Sequence, residues 1–322
     1  MSDAAAYSTL DPQAAGVAPW LDVPGDWRRP AAGGRYRLYW RDADGFGQVL
    51  PRPSPAEVPS FYAVDGYYTH SASDTGTARR QDMAWRILRH LAWRADKGVE
   101  ATPDWWAALL GPAPLRVIEI GCGDGAILER LRNLGHTVTG VEPDPAAAAV
   151  SRGRGLTVHQ ATAENLPAVL LDGQSDVVIF SHVLEHCLDP AAAMANCRRA
   201  LAPGGMVVVE VPNNAATGLA IHGATWLWLD VPRHLNFFTD KSLTSLLKAT
   251  GFRPERTEHL GYFRQISADW LDGQDLMARA LGLKARTGLT DQALWLLRTW
   301  RSPASRKYDT LRVVARRDEG GP

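Results

Sequence analysis

From residue 115 onwards, short apolar runs alternate with longer stretches in which apolar residues recur every three or four positions. The apolar runs predict strands, and the longer stretches predict helices. The predicted strands are residues 115–120, 136–142, 156–160, 176–181 and 206–212. The fourth run is almost continuously apolar, which is typical of a strand buried on both faces. The predicted helices are residues 126–135, 143–153, 191–201 and 240–251.

The last part of the chain carries two further predicted strands, residues 252–260 and 308–317, which we expect to pair antiparallel at one edge. Residues 264–305 between them predict a helical insertion rich in Trp and Leu. Asp240 is the expected N-cap of the helix before them, and Gly251 its expected end. Together, the elements predict an α/β fold, namely a Rossmann-like seven-stranded, mostly parallel sheet with helices on both faces. Ligands of such sheets bind at the carboxyl ends of the strands.

The chain before residue 113 has a different character, with many Pro, Gly, Ala and Trp residues in its first part. Residues 34–51 predict two short strands around a turn at 42–47. Residues 77–96 predict a helix, because Met83, Ile87, Leu88 and Leu91 recur at helical spacing. We divide the chain into an N-terminal extension, a lid segment with its helix, and a cofactor-binding domain, which are residues 1–60, 61–112 and 113–322.

Composition and charge narrow the class of protein. Hydrophobic residues make up 45% of the 322 residues and charged residues 22%, so a substantial core is expected. The 35 basic side chains balance the 35 acidic ones, so we expect no nucleic-acid or membrane partner. No apolar run reaches the ~20 residues of a membrane helix, and no signal-peptide pattern is present. The cysteines lack C-x-x-C spacing, which argues against zinc and disulfides, and we expect a cytoplasmic protein.

A glycine-rich turn follows the first predicted strand of the large sheet, where Gly121, Gly123 and Gly125 lead into a helix. Glycine lets a backbone adopt unusual angles and approach a ligand closely. Glu119 lies two residues before the turn, where an anion suits a ligand that carries an ammonium group. Glu142 ends the next strand, where its carboxylate can accept hydrogen bonds from both hydroxyls of a ribose.

The glycine turn by itself leaves two cofactors open. Gly121, Gly123 and Ala126 match the G-x-G-x-x-G/A pattern of dinucleotide binding, and Glu142 follows about 20 residues later. An NAD(P)-dependent oxidoreductase is therefore an alternative. The other cofactor is S-adenosylmethionine (SAM), whose methionine part carries an ammonium group.

Over residues 115–316 the chain resembles class I SAM-dependent methyltransferases. The resemblance rests on five stretches in order: EIGCGDG, GVEPDP, ATAENLP, DVVIFSHVLEHCLDP and LAPGGMVVVEVPN. It implies SAM as cofactor and S-adenosylhomocysteine as product, with Ala163 and Glu164 at the adenine and Ser181 facing the sulfonium. Thr162 stands where family members often carry an acidic residue. The implied cofactor-binding residues are Glu119, Gly121, Cys122, Gly123, Gly125, Glu142, Pro143, Ala163, Glu164, Ser181 and Tyr67.

Within this class the chain is most similar to a small-molecule group, through the stretch RHLNFFTDKSLTSLLKATGF. Some members of that group begin with a zinc ribbon, a Pro-Arg-Pro linker and a Tyr-rich segment. The region before residue 71 looks similar but contains no cysteine, so we expect no zinc there and packing through Tyr39 and Trp40 instead. The resemblance also implies a lid over SAM that contains Tyr67, Tyr68 and His70.

Four candidate catalytic residues follow two predicted strands: His182, Glu185 and His186 after one, and His234 after the next. Three interpretations are open. Glu185 and His186 are structural; or His182 or His234 is a general base that takes a proton from an attacking hydroxyl; or the four bind a divalent metal. The metal interpretation resembles O-methyltransferases of ubiquinone biosynthesis and of small-RNA 3′ ends. These carry Glu-x-x-Glu-His, and His182 stands where they have the first Glu.

The function predicted from the sequence is SAM-dependent methyl transfer to a small-molecule acceptor, preferably a hydroxyl of a sugar-like or secondary metabolite. The alternatives are an N- or C-methyltransferase, a non-catalytic SAM-binding protein, and the oxidoreductase named above. Trp226 and Trp228 are expected either to form a wall of the acceptor pocket or to belong to the core.

Overall fold

The computed structural model describes residues 3–64, 82–112 and 114–319. Over these residues, two sheets contain eleven strands, and eleven α-helices surround them. The strands are β1 (Val17–Val23), β2 (Tyr36–Arg41), β3 (Phe46–Leu50), β4 (Arg116–Ile120), β5 (Thr137–Val141), β6 (Thr157–His159), β7 (Ser175–Ser181), β8 (Leu201–Pro212), β9 (Asn236–Phe237), β10 (Phe252–Leu260) and β11 (Thr310–Arg317). The helices are α1 (Val58–Phe61), α2 (Met83–Ala95), α3 (Pro103–Leu110), α4 (Ala126–Asn133), α5 (Pro145–Gly153), α6 (Pro190–Ala200), α7 (Thr217–His222), α8 (Asp240–Ala249), α9 (Ala268–Ala280), α10 (Leu289–Thr299) and α11 (Ala304–Lys307).

The larger sheet has seven strands in the order β10-β11-β8-β7-β4-β5-β6. The strands from β8 to β6 run parallel to one another. Strand β11 pairs antiparallel with both β8 and β10. The predicted α/β fold and its antiparallel edge are therefore confirmed. The carboxyl ends of β4, β5, β7 and β8 meet along one edge of this sheet, and the candidate site residues lie there.

Side chains cap the helices that follow the parallel strands. Asp144 accepts a hydrogen bond from the amide of Ala147 at the start of α5, and Asp189 does the same for Ala192 in α6. A proline occupies the first turn of both helices, where its missing N–H costs nothing. These caps fix where the chain turns away from the strand ends.

The N-cap of α8 is Thr239, whereas the sequence predicted Asp240. Thr239 has an extended backbone, and its hydroxyl accepts from the amide of Ser242, whose own hydroxyl accepts from the amide of Thr239. Asp240 is already helical and pairs instead with His259 at 2.9 Å. The predicted end of the helix agrees with the structure, because Gly251 has a positive φ of 82° just beyond it.

The smaller sheet is antiparallel and has the order β1-β2-β3-β9. Strands β2 and β3 confirm the predicted hairpin. The other two strands were missed, because Pro19 interrupts the pattern of β1 and β9 is only two residues long. Gly47 and Gln48 of β3 pair with β9, so this sheet joins the N-terminal strands to the segment that carries His234.

The helical insertion, α9 to α11, covers an apolar cluster that is separate from the core of the large sheet. Trp226, Tyr262 and Trp295 are fully buried in this cluster. Trp226 is therefore a core residue, whereas Trp228 is half-buried beside the candidate site. Among the described residues, none of the helices combines the length and the apolar character that crossing a membrane requires.

Candidate active site

The glycine turn has the conformation and the open space that a bound ligand requires. Gly121, Gly123 and Gly125 have φ values of 68°, 53° and 80°, in the left-handed region that favours glycine. A Cβ at Gly121 would collide with the side chain of Val183, and one at Gly125 with that of Leu156. Beside Gly123, in contrast, no atom lies within 4 Å of such a Cβ. The turn thus packs against the protein at its two ends and is open in its middle.

Glu142 stands next to this opening. Its two carboxylate oxygens accept hydrogen bonds from the amides of Gly123 and Asp144, both at 2.9 Å. Each oxygen keeps a lone pair for a further donor. Burial raises the pKa of this carboxyl, and the two amides oppose that rise. Pro143 beside it is exposed, while Cys122 is buried against Gly140.

Glu119 is buried behind the glycine turn. Only 2% of the residue is exposed, and its Oε2 has no hydrogen-bond partner among the described residues. Burial raises the pKa of this carboxyl well above its usual range. The role of Glu119 toward a ligand ammonium group stays a prediction; the structure places its carboxyl directly behind the glycine turn.

The segment with Ala163 and Glu164 forms hydrogen bonds with residues that follow β7. Asn196 donates from Nδ2 to the carbonyls of both residues, at 3.1 and 2.8 Å. The Glu164 carboxylate accepts from the amide of Leu188 at 2.8 Å. The side chain of Glu164 is therefore a structural link, and the backbone of this segment remains the part available to an adenine.

His182 lies between two carboxylates at the end of β7. Its Nδ1 is 3.2 Å from Glu185 Oε1 and its Nε2 is 3.3 Å from Glu210 Oε1. Burial alone would lower the pKa of His182, but these two carboxylates outweigh it and raise the pKa to about 9. The resulting imidazolium stacks on Trp228, with ring centroids 4.6 Å apart. Its φ of 54° lies in the left-handed region, where no other non-glycine residue in the described parts of the chain is found.

His186 and His234 have the opposite character. Their Nδ1 atoms lie 3.1 Å from the carbonyl of Arg233 and 2.7 Å from that of Trp228, respectively. A carbonyl only accepts, so we assign the proton of each ring to Nδ1 and a free lone pair to Nε2. Nδ1 of His186 also contacts the hydroxyl of Tyr62 at 2.9 Å. Burial lowers the pKa of both histidines to about 4, so both are neutral at pH 7.

Glu185, His186 and His234 converge, with one potential ligand atom from each lying within 4.8 Å of the others. Glu185 Oε2 is buried without a hydrogen-bond partner among the described residues. Two neutral imidazole nitrogens and one carboxylate oxygen form a donor set that suits a divalent transition metal or zinc. His182 does not belong to this set, because both of its ring nitrogens face carboxylates.

A cavity of about 410 Å³ opens at the ends of β7 and β8. Its lining includes Glu100, Thr102, Trp106, Ile127, Ser181, Glu210 and Arg264. Ser181 therefore borders an open space, and its position at the sulfonium stays a prediction. Tyr67, Tyr68 and His70, the predicted lid residues, lie outside the described residues.

Glu210 was missed by the sequence analysis, although a signal was present. It is the only charged residue in the apolar run of β8, and such isolation marks a buried charge that needs a partner. Its partners are His182 and Arg312, the latter at 2.6 Å, and they lower its pKa to about 2 despite burial. Tyr62 was missed as well, because nothing in its local pattern predicts the contact with His186.

Comparisons with known proteins identify the family of this chain. The family model of a methyltransferase domain matches residues 84–257, which include the glycine turn, Glu142 and the histidines described above. A ubiquinone biosynthesis O-methyltransferase of Cereibacter sphaeroides is 34% identical over 184 residues, which are 52% of this chain and 73% of that relative. An enzyme of the same name from Pseudomonas aeruginosa is 34% identical over 143 residues, or 42% of this chain and 61% of the relative.

A solved structure of similar fold is the 1,6-didemethyltoxoflavin-N1-methyltransferase of Burkholderia thailandensis, which contains bound S-adenosylhomocysteine. It is 16% identical with a TM-score of 0.46, and the match covers 88% of this chain and 96% of that one.

Proposed function

Because this chain belongs to the methyltransferase domain family and is a SAM-dependent methyltransferase, we propose that it methylates a hydroxyl oxygen of a small-molecule acceptor. The observation that carries the proposal is the pair of neutral imidazoles of His186 and His234, each with a lone pair on Nε2. A neutral imidazole can take the proton that a hydroxyl loses when it is methylated. Both relatives are O-methyltransferases by name, which supports oxygen as the acceptor atom.

In this proposal SAM binds along the ends of the parallel strands. Glu142 accepts hydrogen bonds from the ribose hydroxyls, and the open side of Gly123 leaves room for the cofactor. The backbone of residues 163–164 borders the adenine. The sulfonium then points toward Ser181 and the cavity at the ends of β7 and β8.

The reaction is a displacement in line with the carbon–sulfur bond. The acceptor oxygen forms a bond to the methyl carbon, and the sulfur keeps the electron pair of the bond that breaks. The methylated oxygen becomes far more acidic than an imidazolium, so even a histidine of low pKa can take its proton. We assign this proton to Nε2 of His234. The enzyme otherwise acts by aligning the oxygen with the methyl group.

His182 has a different role in this scheme. Because it is a cation with both nitrogens facing carboxylates, it is not available as the base. It connects Glu185 after β7 with Glu210 of β8, so it is a positioning residue for the acceptor side of the site.

Because the chain resembles metal-dependent O-methyltransferases, we consider whether its site could bind a divalent ion. Glu185, His186 and His234 fit one, because they offer an unpartnered buried carboxylate oxygen and two free imidazole nitrogens. A bound ion would act as a Lewis acid that makes the acceptor hydroxyl more acidic. The Nδ1 contacts of His186 and His234 to backbone carbonyls orient both rings for either role.

The test is methyl transfer from labelled SAM to a metabolite library, with His234→Ala and the exposed His90→Ala as a matched control. We expect label on a hydroxyl oxygen, and a loss of turnover by ~10²–10⁴ in His234→Ala with SAM affinity unchanged. His90→Ala should behave like the wild type. Near-normal turnover of His234→Ala would refute the base, and label on nitrogen or carbon would refute the acceptor atom.

A chelator distinguishes the two roles of the histidines. If turnover survives chelation while His234→Ala remains slow, His234 acts as the base. If chelation abolishes turnover, and added divalent ion restores it, His234 acts as a ligand and the base assignment fails.

A further inference from the structure

Helices α2 and α10 pack side by side, and both bury one face in the apolar cluster under the insertion. Helix α2 contributes Trp85, Leu88 and Ala92 to this cluster. Helix α10 contributes Trp295 and Leu296. The opposite faces of the two helices are therefore adjacent on the outside of the molecule.

The outer face of α2 is largely apolar. Met83, Ile87 and Leu91 follow one another at four-residue intervals, so they lie on one side of the helix. Ile87 is 54% exposed, and Trp93 is exposed beside this stripe. An apolar stripe of this regularity normally faces a core, yet here the core is on the other side.

The outer face of α10 has the same character. Leu294 and Leu297 are exposed, and Trp300 directly after the helix is exposed as well. Leu297 is 75% exposed, the largest fraction among the large hydrophobic residues in the described parts of the chain. Exposed apolar residues that cluster in this way mark an interaction surface.

Basic side chains predominate on these two faces. Arg86 and Arg94 lie between the apolar residues of α2, and Arg298 and Arg301 lie at the end of α10. No Asp or Glu occurs in residues 83–95, and the one acidic residue of α10 is Asp291 in its first turn, which accepts a hydrogen bond from the amide of Gly288. None of the four guanidinium groups forms an ion pair with any described residue. The chain as a whole is neutral, so this surface concentrates positive charge locally.

We propose that the outer surface of these helices, here named the α2/α10 face, docks onto an anionic lipid bilayer. Its aliphatic side chains and tryptophans enter the boundary between headgroups and acyl chains, and its arginines contact lipid phosphates. Helix α2, with 13 residues, is about 20 Å long and lies in the plane of the interface rather than across it. Tryptophan and arginine are the residues that favour this boundary region.

Other occupants fit the α2/α10 face less well. A second copy of the chain in a twofold interface would place arginines against arginines, and like charges in a desolvated contact are costly. Nucleic acid would satisfy the arginines but would leave Met83, Ile87 and Leu297 without apolar partners. An anionic bilayer supplies both negative phosphates and apolar chains. The expectation of no membrane partner rested on the charge of the whole chain, which does not describe this face.

Sedimentation of the full chain with lipid vesicles tests the proposal. We expect binding to vesicles of equal parts phosphatidylcholine and phosphatidylglycerol, weakening as salt rises, and little binding to pure phosphatidylcholine. The double variant Ile87→Asp with Leu297→Asp should lose at least about tenfold in partitioning. Val169→Asp is the matched control, because Val169 is 64% exposed and lies outside both helices; it should bind like the wild type.

A second variant separates charge from apolar contact. Arg86→Gln with Arg298→Gln should weaken binding by about fivefold per arginine and flatten the salt dependence. Circular dichroism shows whether each variant is folded. The proposal is overturned if the folded wild type does not bind vesicles that contain phosphatidylglycerol. It is equally overturned if the Ile87→Asp, Leu297→Asp variant binds them as well as the wild type does. It is also overturned if sedimentation velocity shows a dimer that the apolar variant dissociates.

Discussion

Burial and neighbouring carboxylates decide the charge of each histidine at the ends of β7 and β8. His182 faces Glu185 and Glu210 and is a cation, whereas His186 and His234 face backbone carbonyls and are neutral. The sequence was sufficient to name the four candidate residues in HVLEH and RHLNFF, which are His182, Glu185, His186 and His234. It was not sufficient to assign the charges of the three histidines, because their burial and the contact of His182 with Glu210 follow only from the fold.

A first prediction at the scale of single residues concerns Glu142. Glu142→Ala should weaken SAM binding by at least about tenfold, because it removes charged hydrogen bonds to the ribose worth ~1.5–3 kcal/mol. Isothermal titration calorimetry measures the affinity, and Glu129→Ala, an exposed change in α4, is the control. Equal affinities in folded Glu142→Ala and wild type would show that the ribose binds elsewhere.

His222 provides a second prediction, on pH. Burial lowers the pKa of His222 from 6.5 to about 4. Below pH 6.5 the imidazole of His222 is protonated in the unfolded chain but stays neutral in the folded protein. The free energy of unfolding therefore falls as the pH decreases toward 4. The contribution of His222 to this loss of unfolding free energy reaches ~3 kcal/mol once the pH is near 4. His222→Gln should therefore lose less stability than the wild type between pH 7 and pH 4.5 in urea unfolding. Parallel curves for the two proteins would contradict the assignment.

At the scale of elements, the strands and helices of the large sheet followed from apolar periodicity, because each has one dominant buried face. The exceptions have physical reasons. Strand β9 is too short to carry a pattern, and it exists because β3 pairs with it. Helix α2 was predicted partly from Met83, Ile87 and Leu91, yet these lie on its outer face and Trp85 faces the core. Periodicity reveals a helix, but it cannot say which of two apolar faces is buried.

The cap of α8 gives a prediction at this scale. Thr239→Ala should destabilise the protein by ~1–2 kcal/mol, because the hydroxyl caps the helix and also donates to the carbonyl of Gly45 in the turn between β2 and β3. Thr290→Ala is a suitable control, since Thr290 is an exposed threonine in the first turn of α10. Its effect should stay within ~0.5 kcal/mol. Equal effects of the two changes in urea unfolding would show that the Thr239 cap does not contribute.

At the scale of the whole molecule, packing and hydrogen bonds hold the smaller sheet to the rest of the chain. Leu38 and Phe46 are fully buried, and Trp20 and Trp40 are in contact at 4.6 Å. Gln48 bonds to Asn236 across the junction of β3 and β9. Apolar and polar contacts of its own side chains thus hold this part of the structure in place.

The corresponding prediction is that the N-terminal region binds no zinc. A variant lacking His182, His186 and His234 should contain no stoichiometric zinc by elemental analysis, and a chelator should leave its melting temperature unchanged. Zinc retained by this variant would place a metal site outside the reaction centre and would contradict the prediction.

The pairing of β3 with β9 has a consequence for the protein while it is being synthesised. Gln48 and Asn236, which bond across this pair, are 188 positions apart in the chain. At ~5–20 residues per second, a ribosome needs about 10–40 seconds to pass from one to the other. During that interval the nascent hairpin exposes an unpaired edge that can recruit foreign strands. We therefore expect overexpression yields to depend on chaperone supply, and His234 to reach its working position only after β9 closes that edge.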